Sequence, residues 1–169
     1  MHILQVTPYY PPAFAYGGIP RIVHGLSNAL HKLEHRISVL TTDVYDADRR
    51  VQRTIYQNES GVHVWSVPNL SNRLAYQQQL YLPLLDQTYF DEIERSAPID
   101  IIHLHGHRHL LNNLVLRWAK KRSIPYVFTA NGTLRRHEQK VRLKWLWDKM
   151  LSGSIPTNAA ACIAVSNAD

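Results

Sequence analysis

Short, mainly apolar runs alternate with longer amphipathic stretches along most of the chain. The apolar runs predict strands at residues 2–7, 36–42, 99–105, 126–130 and 160–166. The stretches with apolar residues at helical spacing predict helices at residues 19–33, 84–96, 110–122 and 135–151. Because the strand runs lack clean alternation of polar and apolar positions, we expect helices to cover both faces of their sheet.

Two segments interrupt this alternation. Residues 54–56 and 62–67 predict a β-hairpin, because they are strand-like and flank the turn-forming run at residues 58–61. Residues 74–82 are rich in Gln and Tyr and favour neither a helix nor a strand. The pattern as a whole predicts one α/β domain over residues 1–169, with a doubly wound, mostly parallel, Rossmann-like sheet.

In such a sheet, ligands bind beyond the carboxyl ends of the strands. Three predicted loops end there and carry polar or glycine residues: 9–18, 105–109 and 131–133. The first loop ends in Gly17 and Gly18, directly before a predicted helix whose positive end favours an anion. The pair is interpreted either as a phosphate site or as glycines that only let the loop turn.

The glycine pattern does not match either of two familiar nucleotide-binding motifs. Neither the dinucleotide fingerprint G-x-G-x-x-G after the first strand nor the P-loop G-x-x-x-x-G-K-[ST] occurs in the sequence. These absences argue against a dinucleotide dehydrogenase and against a P-loop NTPase.

The second loop contains a row of alternating histidines at positions 103, 105, 107 and 109. One interpretation is a metal site, because imidazoles two residues apart on a strand can face one ion, although carboxylates to complete it are missing nearby. Another is a single functional His105, with Gly106 allowing a substrate to approach closely. At that position an imidazole can exchange a proton near neutral pH or donate a hydrogen bond to a sugar hydroxyl. The remaining interpretation is a set of buried or surface histidines without a chemical role.

Composition narrows the class of protein further. The 169 residues suffice for about one domain with a core, and no apolar run approaches the length of a membrane span. The single cysteine, Cys162, excludes an internal disulfide and fits a reducing, cytoplasmic location. Because Cys162 lies in an apolar run, we expect a buried, unreactive thiol.

The positive charge is concentrated in one region. Residues 117–149 contain ten Lys and Arg against two acidic residues, a net charge of +8, whereas the rest of the chain carries −2. A polyanion-binding surface or a solvated helix face both explain this window. No nucleic-acid recognition motif is present, so we expect no nucleic-acid partner. A peripheral contact with anionic lipid at the inner membrane face is a further hypothesis, made by Arg135, Arg136, Lys140, Lys144 and Trp145.

Several motifs in a fixed order resemble one enzyme family. They are Pro11-Pro12 with Gly17-Gly18, Ile101 to Gly106, Pro125-Tyr126-Val127 with Asn131-Gly132-Thr133, and Ala164 to Asp169. This order is similar to the N-terminal half of retaining glycosyltransferases of the GT-B fold, of the group 1, family 4-like type. The resemblance covers essentially the whole chain.

The resemblance implies a role for each loop. Gly17 and Gly18 are expected near the donor diphosphate, and His105 is expected to be catalytic, near the transferred sugar. The acceptor and sugar are expected to contact His107, Asn131, Gly132 and Thr133. Many members have histidine where this chain has Asn131, which leaves the role of the third loop open.

The resemblance also implies what the complete enzyme does. It is expected to transfer a hexosyl group from a nucleotide sugar to a glycan or lipid-linked acceptor with retention, in glycan biosynthesis. The chain is then the acceptor-side domain, a fragment that lacks the C-terminal donor-binding domain and is inactive alone. No cofactor or metal is expected, since cationic side chains and helix dipoles stabilise the leaving diphosphate in such enzymes. Two alternatives are a metal-dependent hydrolase that uses His103 to His109 and a non-catalytic module that binds anionic surfaces.

Overall fold

Seven strands and four α-helices make up the computed structural model, which describes residues 1–52, 54–133, 149, 151 and 154–165. The strands are β1 His2–Val6, β2 Arg36–Thr42, β3 Ile55–Gln57, β4 His63–Val67, β5 Ile101–His105, β6 Tyr126–Thr129 and β7 Ala161–Ile163. The helices are α1 Ile19–Lys32, α2 Asn72–Gln78, α3 Gln87–Glu94 and α4 Leu110–Lys121. A short 3-10 helix, Phe14–Tyr16, precedes α1.

All seven strands form one sheet in the order β3-β4-β2-β1-β5-β6-β7. Every neighbouring pair is parallel except β3 with β4, which form the expected antiparallel hairpin. Without β3, the order β4-β2-β1-β5-β6-β7 is the 3-2-1-4-5-6 order of a doubly wound fold, with β1 and β5 as neighbours at its centre. The predicted fold class is therefore confirmed.

Successive residues of the strands point to opposite faces, and each face packs a separate core. Leu4 and Leu104 belong to the cluster covered by α3 and α4, through residues such as Trp118. Ile3 belongs to the cluster covered by α1, through Val23. Helices on both faces explain why the strand sequences show no polar face.

Helix α1 buries a different stripe from the one that its apolar residues suggest. Ile22 and Leu33 lie at helical spacing among the apolar residues of the predicted helix at 19–33, yet they are exposed, at 43% and 68%. Ile19, Val23 and the polar Ser27 are buried instead. The buried face of α1 therefore follows residues spaced by four from the start of the helix, even where the residue at that spacing is polar.

The segment between the hairpin and β5 is more helical than the sequence indicates. Residues 72–78 form α2, where the Ser71 hydroxyl accepts a hydrogen bond from the Leu74 N–H at 3.3 Å. The next helix is shorter than predicted and begins after Asp86, whose carboxylate accepts from the Thr88 N–H at 2.9 Å. In both cases an N-cap side chain sets the start of the helix.

Two expectations concern the end of the chain. The prediction of a buried Cys162 is wrong: the thiol is exposed, and its Sγ–H donates to the Pro156 carbonyl at 3.3 Å. The reason is that β7 is an edge strand and all three of its residues are exposed.

The basic helix predicted at residues 135–151, with its proposed membrane contacts, lies almost entirely outside the described residues. Within the described part, no helix has the length and apolarity needed to span a membrane.

Candidate functional site

The three predicted loops meet at one edge of the sheet. Val6 pairs with Leu104 and His105 pairs with Thr129, so the loops after β1, β5 and β6 all leave from the same carboxyl edge. The chain turns to one side after β1 and to the other after β5, which opens a crevice at this point in a doubly wound sheet. The topology therefore places the predicted site residues side by side.

The body of the first loop is packed firmly against the protein. The Thr42 hydroxyl donates to the Pro8 carbonyl at 2.5 Å, and Tyr9 is 7% exposed. The Tyr9 ring stacks on Tyr16 with 5.0 Å between centroids and also contacts Tyr81 at 5.6 Å. Burial raises the pKa of Tyr9 to about 12, so its hydroxyl stays protonated. These aromatic contacts fix the path of the chain toward α1.

The tip of the same loop is open. Gly17 and Gly18 are exposed, and nothing in the described structure lies within 4 Å of a Cβ atom built on either residue. Gly17 has a φ of +100°, a conformation that favours glycine, whereas Gly18 has a φ of −82° and caps α1. The first turn of α1 contains no acidic residue. Pro20 has no N–H, and the N–H groups of Arg21 and Ile22 both donate to the Gly18 carbonyl. What this helix end offers an anion is therefore the helix dipole together with the backbone N–H groups of Gly18 and Ile19.

His105 lies at the end of β5, fully buried behind the crevice. Its Nε2 is 2.7 Å from Gln5 Oε1, and its Nδ1 is 3.5 Å from Asn131 Nδ2. Burial lowers the pKa of His105 well below its usual range, so the ring is neutral near pH 7. Of the two roles considered from the sequence, this position favours hydrogen bonding over proton exchange near neutrality.

The neighbouring His103 is also a buried, neutral imidazole. Its Nε2 is 2.7 Å from the Thr129 hydroxyl, and its ring centroid is 4.0 Å from that of His105. Burial lowers the pKa of His103 to about 4. The two rings lie in contact beneath the site with their planes tilted by 35°. His103 therefore fits the interpretation of a buried histidine without a chemical role.

Gly106 does not admit a substrate in the way that the sequence suggests. It is buried with a φ of +76°, and a Cβ built on it would lie 2.7 Å from His109 Nε2 and 3.9 Å from Ile19 Cδ1. The close approach at Gly106 is therefore made by the chain's own His109. The contact with Ile19 also places this loop directly beside the first turn of α1.

His109 completes the packing between the first two loops. It is 7% exposed, and its ring contacts Tyr81 at 5.2 Å and Tyr9 at 6.3 Å between centroids. Burial lowers the pKa of His109 to about 3. Neither ring nitrogen has a hydrogen-bond partner within the residues that the structure describes. The imidazole acts here as a neutral aromatic spacer.

Thr133 ties the third loop to the second. Its hydroxyl donates to the Ala130 carbonyl at 2.6 Å and accepts from the His107 N–H at 2.6 Å. The Arg108 guanidinium donates to the Thr133 carbonyl at 2.6 Å. Asn131, with a φ of +52°, lies over His105. The structure thus brings together His105, His107, Asn131 and Thr133, with Gly132 between the last two.

The histidine row does not form a metal centre in the described structure. Within residues 1–52, 54–133, 149, 151 and 154–165, no three histidine, cysteine or acidic side chains are grouped so that they could hold an ion. His103, His105 and His109 contact Thr129, Gln5 and the tyrosines instead. The hydrolase hypothesis therefore gains no support from this geometry.

Sequence reasoning missed one residue of this site. Gln5 is fully buried in the middle of β1 and holds His105. The signal was present, because a glutamine inside an otherwise apolar strand needs a hydrogen-bond partner.

Comparison with known proteins places this site in context. The family model described as Glycosyltransferase Family 4 matches residues 16–169. A structure of sucrose-phosphate synthase from Thermosynechococcus elongatus is similar, with 13% identity and a TM-score of 0.55, over 98% of this chain and 42% of that chain. A second sucrose-phosphate synthase structure from that organism gives 12% identity and a TM-score of 0.52, over 99% and 77%. At these identities the likeness shows the fold. No curated protein matches the chain.

Proposed function

The chain belongs to glycosyltransferase family 4, and on this premise we propose that it forms the acceptor-side domain of a retaining hexosyltransferase. The donor is a nucleotide sugar, and the acceptor is a glycan or a lipid-linked glycan. One observation carries the proposal: the open Gly17-Gly18 tip before α1 lies beside the loop that follows His105. An anion site and a hydroxyl-binding site therefore adjoin each other, as a sugar diphosphate requires.

The diphosphate is assigned to Gly17, Gly18 and the first turn of α1. Negative charge develops on the leaving diphosphate as the bond to the sugar breaks, and oriented N–H groups stabilise that charge. A side chain at Gly18 would occupy the space that the phosphate oxygens need.

The sugar and the acceptor hydroxyl are assigned to the second and third loops. His105, the residue expected from the sequence to be catalytic, is proposed to position the transferred sugar through Asn131, because both of its ring nitrogens face protein groups. His107, Gly132 and Thr133 contribute to the acceptor side. The short contacts made by Thr133 hold these loops in one arrangement, which preorganises the site.

A second, donor-binding domain is proposed to complete the site. The chain spans 42% of the length of the sucrose-phosphate synthase structure that it matches. A site bounded by this domain on one side only cannot exclude water or align two substrates. Residues 1–169 alone are expected to show no transfer and about millimolar binding of nucleotide sugars. Independence from metal ions, a cytoplasmic location and contact with anionic membranes stay predictions from the sequence.

The test uses the transferase in which residues 1–169 are joined to a donor-binding domain. A thermal-shift panel of nucleotide sugars identifies the donor, and turnover is then measured with a chelator present. His105→Ala should lower kcat by about 10²-fold, since the group that holds Asn131 against the sugar is removed and the sugar is misplaced. His107→Ala should cost much less.

The control is His63→Ala, an exposed histidine at the opposite end of the sheet on β4. It should leave turnover unchanged. Equal, small losses at His105 and His63 would contradict the assigned role of His105. Activity that disappears with the chelator would favour a metal-dependent enzyme instead.

A further inference from the structure

We propose that Gln5 is a positioning residue that, together with Asn131, holds His105 in one tautomer and so keeps Asn131 turned with its Oδ1 toward a ligand. Gln5 and His105 are both fully buried, and Gln5 Oε1 is 2.7 Å from His105 Nε2. On the other side of the ring, Asn131 Nδ2 is 3.5 Å from His105 Nδ1. The three side chains form one row from the interior of β1 to the crevice.

A backbone carbonyl group determines which atoms of these three side chains donate hydrogen bonds and which accept them. Asn131 Nδ2 is also 3.5 Å from the Thr129 carbonyl oxygen, which can only accept hydrogen bonds. The atom of Asn131 that faces this oxygen must therefore be its NH₂ group. The same NH₂ group faces His105 Nδ1, so Nδ1 must be the unprotonated nitrogen.

The rest of the row follows from that assignment. A neutral imidazole with an unprotonated Nδ1 carries its proton on Nε2, which then donates to Gln5 Oε1. Replacing Gln5 would remove the acceptor of the Nε2–H group, which is one of the two partners that favour this tautomer. Burial keeps the pKa of His105 well below its usual range. The ring therefore carries a single proton near pH 7 and exists as one of the two neutral tautomers.

The consequence at the crevice concerns Asn131 Oδ1. With the NH₂ group turned inward, Oδ1 is left buried and has no hydrogen-bond partner within the described residues. An acceptor of this kind selects a ligand group that donates, such as a sugar hydroxyl, and disfavours one that only accepts. This last step rests on the proposed function, whereas the tautomer does not.

The tautomer can be measured directly by ¹⁵N NMR of the histidine side chains in residues 1–169. The His105 signals are assigned as those that vanish in His105→Gln. The proposal predicts a protonated Nε2 and an unprotonated Nδ1 at pH 7. A protonated Nδ1 in the unmodified chain would overturn it.

Two variants test the role of Gln5. In Gln5→Leu the acceptor is lost, so the His105 signals should move toward a mixture of both tautomers. In Gln5→Glu a carboxylate faces Nε2, so His105 should become protonated on both nitrogens near neutral pH. The matched control is Thr129→Val, which removes the partner of the adjacent His103 and should leave the His105 tautomer unchanged. Unchanged His105 signals in both Gln5 variants would overturn the proposal.

A kinetic arm separates this proposal from the proposed function. In the transferase, Gln5→Leu should lower kcat by about 10-fold, the size of one lost hydrogen bond in the site. If the chain transfers no sugar but the NMR results hold, the proposed function fails and the tautomer assignment stands. If Gln5→Leu transfers sugar at the full rate, Gln5 has no positioning role in the reaction and that part is overturned.

Discussion

The loops after β1 and β5 lie side by side at the sheet edge but are built in opposite ways. The tip of the first loop is exposed, with empty space around Gly17 and Gly18. The second loop is buried, and the space above Gly106 is filled by His109. Glycine therefore has two structural roles at this edge of the sheet. It leaves open space at the tip of the first loop, and in the second loop it makes room for the protein's own His109 side chain.

From this difference we infer separate roles for the two loops in the proposed site. Backbone N–H groups at an open helix end can bind an anion without a side chain being placed. The closed loop holds neutral imidazoles and short hydrogen bonds to Thr133, which fix the direction of polar atoms. We infer that the open loop supplies charge stabilisation and that the closed loop supplies orientation.

The largest expected effect is a loss of stability in acid that originates in the closed loop. His103, His105 and His109 have lowered pKa values in the folded protein, to about 4 for His103 and about 3 for His109. The unfolded chain therefore binds more protons below pH 6.5, and stability falls as the pH decreases from there. Each histidine should contribute about 1.4 kcal/mol per pH unit between pH 6.5 and its folded-state pKa.

This dependence is checked by urea unfolding of residues 1–169 at a series of pH values. His103→Gln keeps a partner for the Thr129 hydroxyl and removes one titrating group. It should therefore reduce the dependence of the free energy of unfolding on pH by the contribution of one histidine. A free energy of unfolding that does not change between pH 7 and 5 would show that these imidazoles are not buried and neutral.

The next effect separates backbone strain from packing in the closed loop. Gly106→Ala places a methyl group at a φ of +76° and 2.7 Å from His109, so it should destabilise the fold by about 2–4 kcal/mol. The control is Gly132→Ala, where φ is +74° but no described atom lies within 4 Å of the added Cβ. Gly132→Ala should lower the free energy of unfolding only through backbone strain at positive φ, by about 1–2 kcal/mol. Equal losses in the two variants would mean that His109 does not fill the space above Gly106.

Most of the fold could be predicted because its signals are local. Apolar runs gave the parallel strands, and the turn at residues 58–61 gave the hairpin. Helix α2 was not predicted, because its start depends on the Ser71 cap and only Ala75 among its apolar residues is fully buried. Cys162 was misjudged because an apolar run does not reveal whether its strand is central or at the sheet edge.

The site could be predicted only as a set of loops. Topology alone brings the carboxyl ends of β1, β5 and β6 together, so Gly17, His105 and Asn131 could be grouped from the sequence. The roles of Gly106 and Gln5 could not be predicted, since both depend on tertiary packing. The His109 ring that fills the space above Gly106 is held there by Tyr9 and Tyr81, which are distant in sequence. Gln5 on β1 meets His105 on the neighbouring strand β5.

The smallest stability change and the most direct test of the account both concern Gly18. Its φ of −82° suits any residue and its surroundings are open, so Gly18→Val should change the free energy of unfolding by less than about 1 kcal/mol. Gly17, at +100°, would add backbone strain and is a poorer choice. Gly25→Val, at an equally open position further along α1, is the matched control.

The measurement is turnover of the nucleotide sugar by the transferase with each of these two substitutions. The account predicts that Gly18→Val abolishes turnover with an almost unchanged melting curve, because the side chain blocks the diphosphate, while Gly25→Val stays fully active. Full turnover by Gly18→Val would contradict the claim that the open loop binds the donor.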